Sequence, residues 1–189
     1  KYLSSRCTSF YSILYFETTF YLLIDKGNPD PYYLVTIVIT RYPMHTIVSF
    51  GEIMLRLKSP AHERFFQSPF LEASFGGGEA NVAVSLSILG ERGRFVSALP
   101  DNPIGKQAIA ELRGHGVDTA AIKHTAGRMG IYFLETGANQ RASNVVYDRE
   151  YSAISMVKPG DFAWADIFKD ASWFHITGIT PALSQSAAD

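Results

Sequence analysis

The stretch best suited to chemistry is Phe75-Gly76-Gly77-Gly78-Glu79-Ala80-Asn81, where three glycines stand between an extended pattern and a helical one. Without Cβ atoms the backbone can touch a polar ligand directly, and the first turn of the following helix offers N–H groups with no intrahelical acceptor. A ligand bearing hydroxyls or negative charge suits such a place. The spacing is neither Gly-x-Gly-x-x-Gly nor a phosphate loop ending in Gly-Lys-Ser/Thr, so nucleotide phosphates are a poor match. The competing reading is structural, a tight turn with close helix packing. Three further clusters accompany the run: Gly51-Glu52, Asp101-Asn102-Pro103-Ile104-Gly105 and Gly114-His115-Gly116-Val117-Asp118.

The elements that must position these groups follow from periodicity. Thr46 to Phe50 is β-branched and aromatic and stops at Gly51, which predicts a buried strand, the first of a parallel sheet. Ile53, Leu55 and Leu57 alternate with Met54, Arg56 and Lys58 as a half-exposed strand, and Leu71 to Phe75 is expected to pair with it. Val82, Leu86 and Leu89 recur at helical spacing up to Gly90. Arg94 to Leu99 reads as a strand, and Ile104, Ala108 and Leu112 mark a second helix closed by Gly114 and Gly116. This is a βαβα pattern. Ala120 to His124, Gly130 to Glu135 and Asn144 to Arg149 are too closely spaced for helical crossovers and predict a three-stranded β-flap beside an α/β body. Phe162 to Lys169 reads as a helix and Trp173 to Thr177 as a strand.

Composition bounds the function. With 19% charged residues and a net charge of -1, the chain lacks the cationic excess that binds a phosphate backbone, which disfavours a nucleic-acid partner. Cys7 is the one cysteine, so no intrachain disulfide can form, and neither a Cys-x-x-Cys pair nor a His-x-x-x-His face offers a metal cage. His115 and His124 read as loop or surface residues. Residues 1–43 hold 10 of the 25 aromatics and no alanine, whereas residues 44–189 hold 14 of the 15 glycines. That break predicts an extension outside the fold, translated from upstream of Met44; the alternative is a membrane-surface anchor, against which the lack of a basic face counts. The apolar run Phe10 to Ile24 is 15 residues long and interrupted by Glu17, too short for a membrane helix, and Asp25 to Pro31 makes a poor secretion-signal boundary.

Taken in order and spacing, Gly51-Glu52, Gly76-Gly77 with Asn81, Asp101 to Gly105 and Gly114 to Asp118 resemble the amino-terminal half of the ribokinase-like carbohydrate kinases of the phosphofructokinase B type. Within that family, Gly130 to Phe133, Tyr147 to Ala153 and His175 to Leu183 resemble the kinases of 2-keto-3-deoxygluconate. The resemblance covers residues 44–189 and none of 1–43. It implies a ribokinase-like, Rossmann-type three-layer α/β sandwich, truncated, with a small β-sheet lid. It also implies ATP and Mg2+ as cofactors, a small sugar-acid substrate, a cytoplasmic setting without membrane attachment, and a homo-oligomer formed through the β-lid.

By the same resemblance, Gly76, Gly77 and the adjoining backbone hold the sugar with Asn81, Tyr132 and Tyr147 contact its hydroxyls or carbonyl, and Arg149 takes its carboxylate. A guanidinium presents a planar fork that an uncharged sugar cannot use, so Arg149 argues for an acid sugar. Each assignment has a structural alternative: strand-end pairing of Arg149 with Asp148 or Glu150, lid packing for the tyrosines, and support of its own helix start for Asn81. The family's catalytic aspartate lies in a Gly-Ala-Gly-Asp motif that this sequence lacks, so no catalytic base is assigned and Asp189 is not taken as one. The expected activity is ATP-dependent phosphorylation of 2-keto-3-deoxygluconate by a parent about twice as long, the present chain alone being inactive. Fructokinase or another sugar kinase is the neighbouring alternative, and a noncatalytic sugar-acid-binding module is the alternative of another class.

Overall fold

The computed structural model describes residues 10–15, 18–23, 38–41 and 44–189, and the chain divides into two compact units, residues 1–43 and 44–189. In the first unit, strands β1 (Phe10–Tyr15), β2 (Thr18–Leu23) and β3 (Val38–Arg41) form an antiparallel sheet in that order. Cys7 and the Asp25 to Pro31 segment lie outside the described residues. Among those described, no helix is long and apolar enough to cross a membrane.

The second unit is built on a parallel sheet. Strand β4 (Thr46–Phe50) is buried along its whole length and leads through Gly51 and Glu52 into β5 (Met54–Lys58) and β6 (Glu72–Gly76), an antiparallel pair as expected. Helix α1 (Gly78–Ile88) returns the chain to β7 (Arg92–Pro100), which pairs in parallel with β4. Helix α2 (Pro103–Gly114) starts with Pro103 in its first turn and Asn102 as N-cap, whose side chain accepts from the Gly105 N–H at 2.9 Å. It delivers β8 (Ile122–Thr125) to the free edge of β7, again in parallel. Two strands follow in the second sheet, β9 (Ile131–Glu135) and β10 (Asn144–Asp148). A 3₁₀ turn (Ala153–Met156), the short helix α3 (Trp164–Ile167), β11 (Ala171–His175) and helix α4 (Gln185–Ala188) complete the unit.

The main sheet runs β11-β4-β7-β8 and the lid sheet β10-β9-β5-β6. Ile53, Ala80, Ala83, Phe95, Leu99, Ala108, Ile109 and Leu112 form the core beneath α1 and α2; Val48, Phe50, Val96, Ala98, Ala153 and Ile154 form a second one on the opposite face, against Phe162 and Trp164. Helices on both faces of one parallel sheet make the three-layer sandwich of the ribokinase-like fold.

Three expectations change. Ala120 to His124 is not a flap strand: α2 is the crossover that precedes it, and Asp118 already runs beside β7, its carbonyl accepting from the Phe95 N–H at 2.9 Å. The lid is instead completed by β5 and β6. Second, α1 does not bury its Val82, Leu86 and Leu89 stripe; it buries Glu79, Ala80 and Ala83, and Leu89 is exposed. The cause is close approach, since a Cβ on Gly93 of β7 would lie 2.3 Å from the Ala83 carbonyl oxygen, so only small residues fit that helix face. Third, the predicted helix over Phe162 to Lys169 shortens to α3, while its aromatics pack as a cluster in which Trp164 stacks on Phe168 with ring centroids 5.2 Å apart.

Two predictions follow from this architecture. The compositional break at Met44 coincides with the boundary between the units. Removing residues 1–43 is therefore expected to leave the stability of residues 44–189 within about 1 kcal/mol, measured by denaturant unfolding of both lengths. A large drop in midpoint would make those residues part of the fold. The second concerns Arg94, whose guanidinium bonds Asp118 at 2.8 Å and Asp170 at 2.6 Å, tying β7 to the segments before β8 and β11. Burial pushes the Asp118 carboxyl up, but Arg94 and the Ala120 N–H outweigh it and hold it below the usual range; Asp170 is lowered chiefly by the Arg94 hydrogen bond. A carboxyl depressed in the folded state contributes stability above the ordinary carboxylate range and loses it as pH falls through the depressed value. Arg94→Met should thus be less stable than wild type at pH 7, with the gap closing in acid; a gap that ignores pH would point to lost packing of the arginine stem.

Candidate active site

The six residues singled out by sequence, Gly76, Gly77, Asn81, Tyr132, Tyr147 and Arg149, all line one cavity of 220 Å³ between the lid sheet and the N-terminus of α1. They arrive from β6, α1, β9, β10 and the turn after β10. Tyr132 and Tyr147 are a cross-strand pair with ring centroids 6.0 Å apart, and the Arg149 guanidinium lies 5.5 Å from the Tyr147 ring centroid. One wall is therefore a tyrosine pair capped by a cation.

Arg149 pairs with neither of the partners its sequence neighbourhood suggested. Asp148 is held by Arg128 through two 2.6 Å bonds. Arg149 instead crosses from the lid to Glu52: its Nε donates to Glu52 Oε2 at 2.9 Å and its Nη2 donates to the same oxygen. Glu52 is only 4% exposed, and a lone carboxylate at that depth would carry a heavy desolvation cost that the guanidinium offsets. Among the described residues Nη1 has no protein partner, so one donor of the fork stays available beside the cavity.

Glu79, Glu52 and Thr180 also line the cavity and were given no role from sequence. Glu79 sits in the first turn of α1, where a carboxylate complements the helix dipole, and is buried. Its Oε1 accepts from the Thr177 N–H at 3.0 Å and the Thr177 hydroxyl at 2.6 Å, fixing the turn after β11 against α1. The acidic residue two places into a glycine-opened helix was the available signal, but nothing in the sequence said that Thr177 lies opposite it.

The glycines are explained by space. A Cβ on Gly77 would lie 2.0 Å from the Glu52 carbonyl oxygen, one on Gly76 would lie 2.8 Å from the Tyr132 hydroxyl, and one on Gly51 would lie 2.3 Å from the Glu79 carboxylate. The run is thus both the close-packed turn of the structural alternative and a wall of the cavity. Its surroundings disfavour a polyphosphate, because Glu52 and Glu79 bring two carboxylates to the same helix start. No group of three or more His, Cys, Asp or Glu able to hold a metal occurs among the described residues. This helix start therefore does not suit an ATP phosphate.

A larger cleft of 890 Å³ lies beside β8 and α3, but most of its charged groups pair with one another, Arg94 with Asp118 and Asp170, Lys123 with Asp161. The smaller cavity, with an available cationic donor and convergent hydroxyls, is the better site.

Gly77→Ala tests the packing at the site: with backbone rather than a flexible tip in the way, it is expected to cost about 1–3 kcal/mol, read as a lower midpoint in chemical unfolding. An unchanged midpoint would mean that the glycine loop moves aside freely.

Residues 44–188 match the pfkB family carbohydrate kinases. The chain is 42% identical over 140 residues to the 2-dehydro-3-deoxygalactonokinase of Haloferax volcanii, covering 74% of this chain and 44% of that enzyme. It is similar to the crystal structure of the 2-dehydro-3-deoxygluconokinase of Thermotoga maritima, with a TM-score of 0.73 at 51% identity over 74% of this chain and 43% of that one. A sugar kinase of Pyrococcus horikoshii, solved in complex with ATP, matches with a TM-score of 0.67 at 26% identity over 75% of this chain and 46% of that one. The chain spans less than half the length of these relatives. The match begins just before β4 and ends in α4, taking in the sheet, the lid and the cavity described above, and by it the chain belongs to the pfkB family of carbohydrate kinases.

Proposed function

We propose that residues 44–189 are the sugar-binding part of an ATP-dependent kinase whose acceptor is a carboxylated keto-sugar of the 2-keto-3-deoxygluconate type. The observation that carries this reading is Arg149, a guanidinium with its side chain only 19% exposed, one donor available, set among tyrosine hydroxyls at a cavity of sugar size. A neutral ketose would leave that donor without a charged partner, whereas a sugar carboxylate pairs with it in a charge-assisted bond. The kinship with kinases acting on 2-dehydro-3-deoxy sugar acids supports the same substrate class.

Phosphoryl transfer also needs a base to take the hydroxyl proton and groups to hold the nucleotide and its Mg2+. The family supplies ATP as donor, in keeping with the ATP complex of the Pyrococcus relative. No residue of this chain is assigned to those tasks. What the chain contributes is binding and orientation: Glu52 holds the Arg149 fork, Arg149 fixes the acid end of the sugar, and Tyr132 and Tyr147 sort its hydroxyls. The lid sheet supplies one wall of the cavity through Tyr132 and Tyr147.

The test is substrate discrimination in the kinase that carries this sugar-binding part. Arg149→Met keeps much of the apolar bulk and removes the charged donor, so the ratio of kcat/KM for 2-keto-3-deoxygluconate over fructose should fall by roughly ten- to a hundredfold. Equal loss on both sugars would make Arg149 an organiser of the lid through Glu52. No loss on either would favour a neutral sugar as acceptor.

A further inference from the structure

Three side chains that line the sugar cavity have no part in the reading above and are apolar: Met54, Val145 and Ile179. Met54 is buried, but Val145 is 40% exposed and Ile179 49%, so a bound molecule can reach both. They come from different layers. Val145 precedes Tyr147 by two positions on β10, and side chains two apart on a strand share a face, so it stands on the tyrosine face of the lid. Ile179 belongs to the body, in the turn after β11, where its N–H donates to the Thr177 hydroxyl at 3.2 Å and that hydroxyl donates to Glu79. Single exposed apolar residues are ordinary on any protein surface. Two that line the same cavity as Arg149 and a pair of tyrosines, each on an anchored element, are a property of the cavity.

A carbohydrate with a hydroxyl on every carbon would press one of them against these side chains, where it would lose its water and gain no partner. A methylene loses nothing by the same contact and buries apolar surface. We infer that Val145 and Ile179 are specificity residues that take the deoxygenated carbon of the acceptor and reject its hydroxylated counterpart. The inference rests on the sugar-acid reading above and deepens it: Arg149 selects the acid, and the apolar pair selects the deoxy compound among keto-sugar acids.

Two probes that differ by one hydroxyl test it: 2-keto-3-deoxygluconate, and 2-ketogluconate, whose third carbon carries the hydroxyl that the first lacks. Binding of each is measured by calorimetry on the 189-residue chain and on its Val145→Thr, Ile179→Thr and Val146→Thr variants, with chemical unfolding to confirm that each variant is folded. The unsubstituted chain should bind the deoxy sugar about ten- to a hundredfold more tightly. Threonine keeps the β-branched shape and adds a hydroxyl partner, so Val145→Thr and Ile179→Thr should each lower that ratio about three- to tenfold. Val146→Thr, on the opposite face of β10, should leave it unchanged. Equal binding of the two sugars by the unsubstituted chain would overturn the inference and leave the sugar-acid reading standing. So would a ratio that neither cavity variant lowers, or one that Val146→Thr lowers as much, since the effect would then lie in the strand and not in the cavity. If the unsubstituted chain binds neither sugar, the functional reading fails first and this inference falls with it.

Discussion

Two buried carboxylates flanking one glycine organise the second unit of this protein. Glu52 and Glu79 lie on either side of Gly51, and neither can face water, so each must find a cation or donors within reach. Glu52 recruits Arg149 from the lid and Glu79 recruits Thr177 from the turn after β11. Three segments remote in sequence are drawn to one point by the same electrostatic requirement, and the cavity is the space left between them. The glycines follow from it: residues 51, 76, 77 and 130 lack side chains because protein groups, including both carboxylates, occupy the places where a Cβ would stand.

The ion pair also ties the lid to the body of the unit. Arg149 follows β10 in the lid sheet and Glu52 follows β4 in the body, so the bridge spans the two layers that enclose the cavity. Under the proposed function, a sugar carboxylate engaging the fork would join a pair that already ties the lid to the body, so that ligand and lid would stabilise one another through one guanidinium. Buried pairs of this kind contribute little net stability compared with apolar packing, yet breaking one side is costly, which favours a defined geometry over strength.

The main sheet shows how packing overrides pattern. Helix α1 carries a regular stripe of Val82, Leu86 and Leu89, but Gly93 beneath it demands an approach that only Ala80 and Ala83 permit. Close contact over small residues won over the larger apolar area, because the helix must also carry Glu79 to Gly51. Trp173 and Phe174 on β11 keep part of their surface exposed at the edge of the sheet.

What the sequence determined by itself was local and periodic: the strands ending at Phe50 and near Leu99, the capped helix behind Asn102, and the glycine run opening α1. Those features depend on neighbours within a few positions, and a single chain displays them. The tertiary structure alone decided which pairs meet across long separations. Arg149 stands next to Asp148 and Glu150 in the chain, and sequence proximity suggested them as partners, yet burial of Glu52 97 positions away set a stronger electrostatic demand. Likewise the strand Ile122–Thr125 looked like its lid neighbours until the crossover through α2 assigned it to the main sheet.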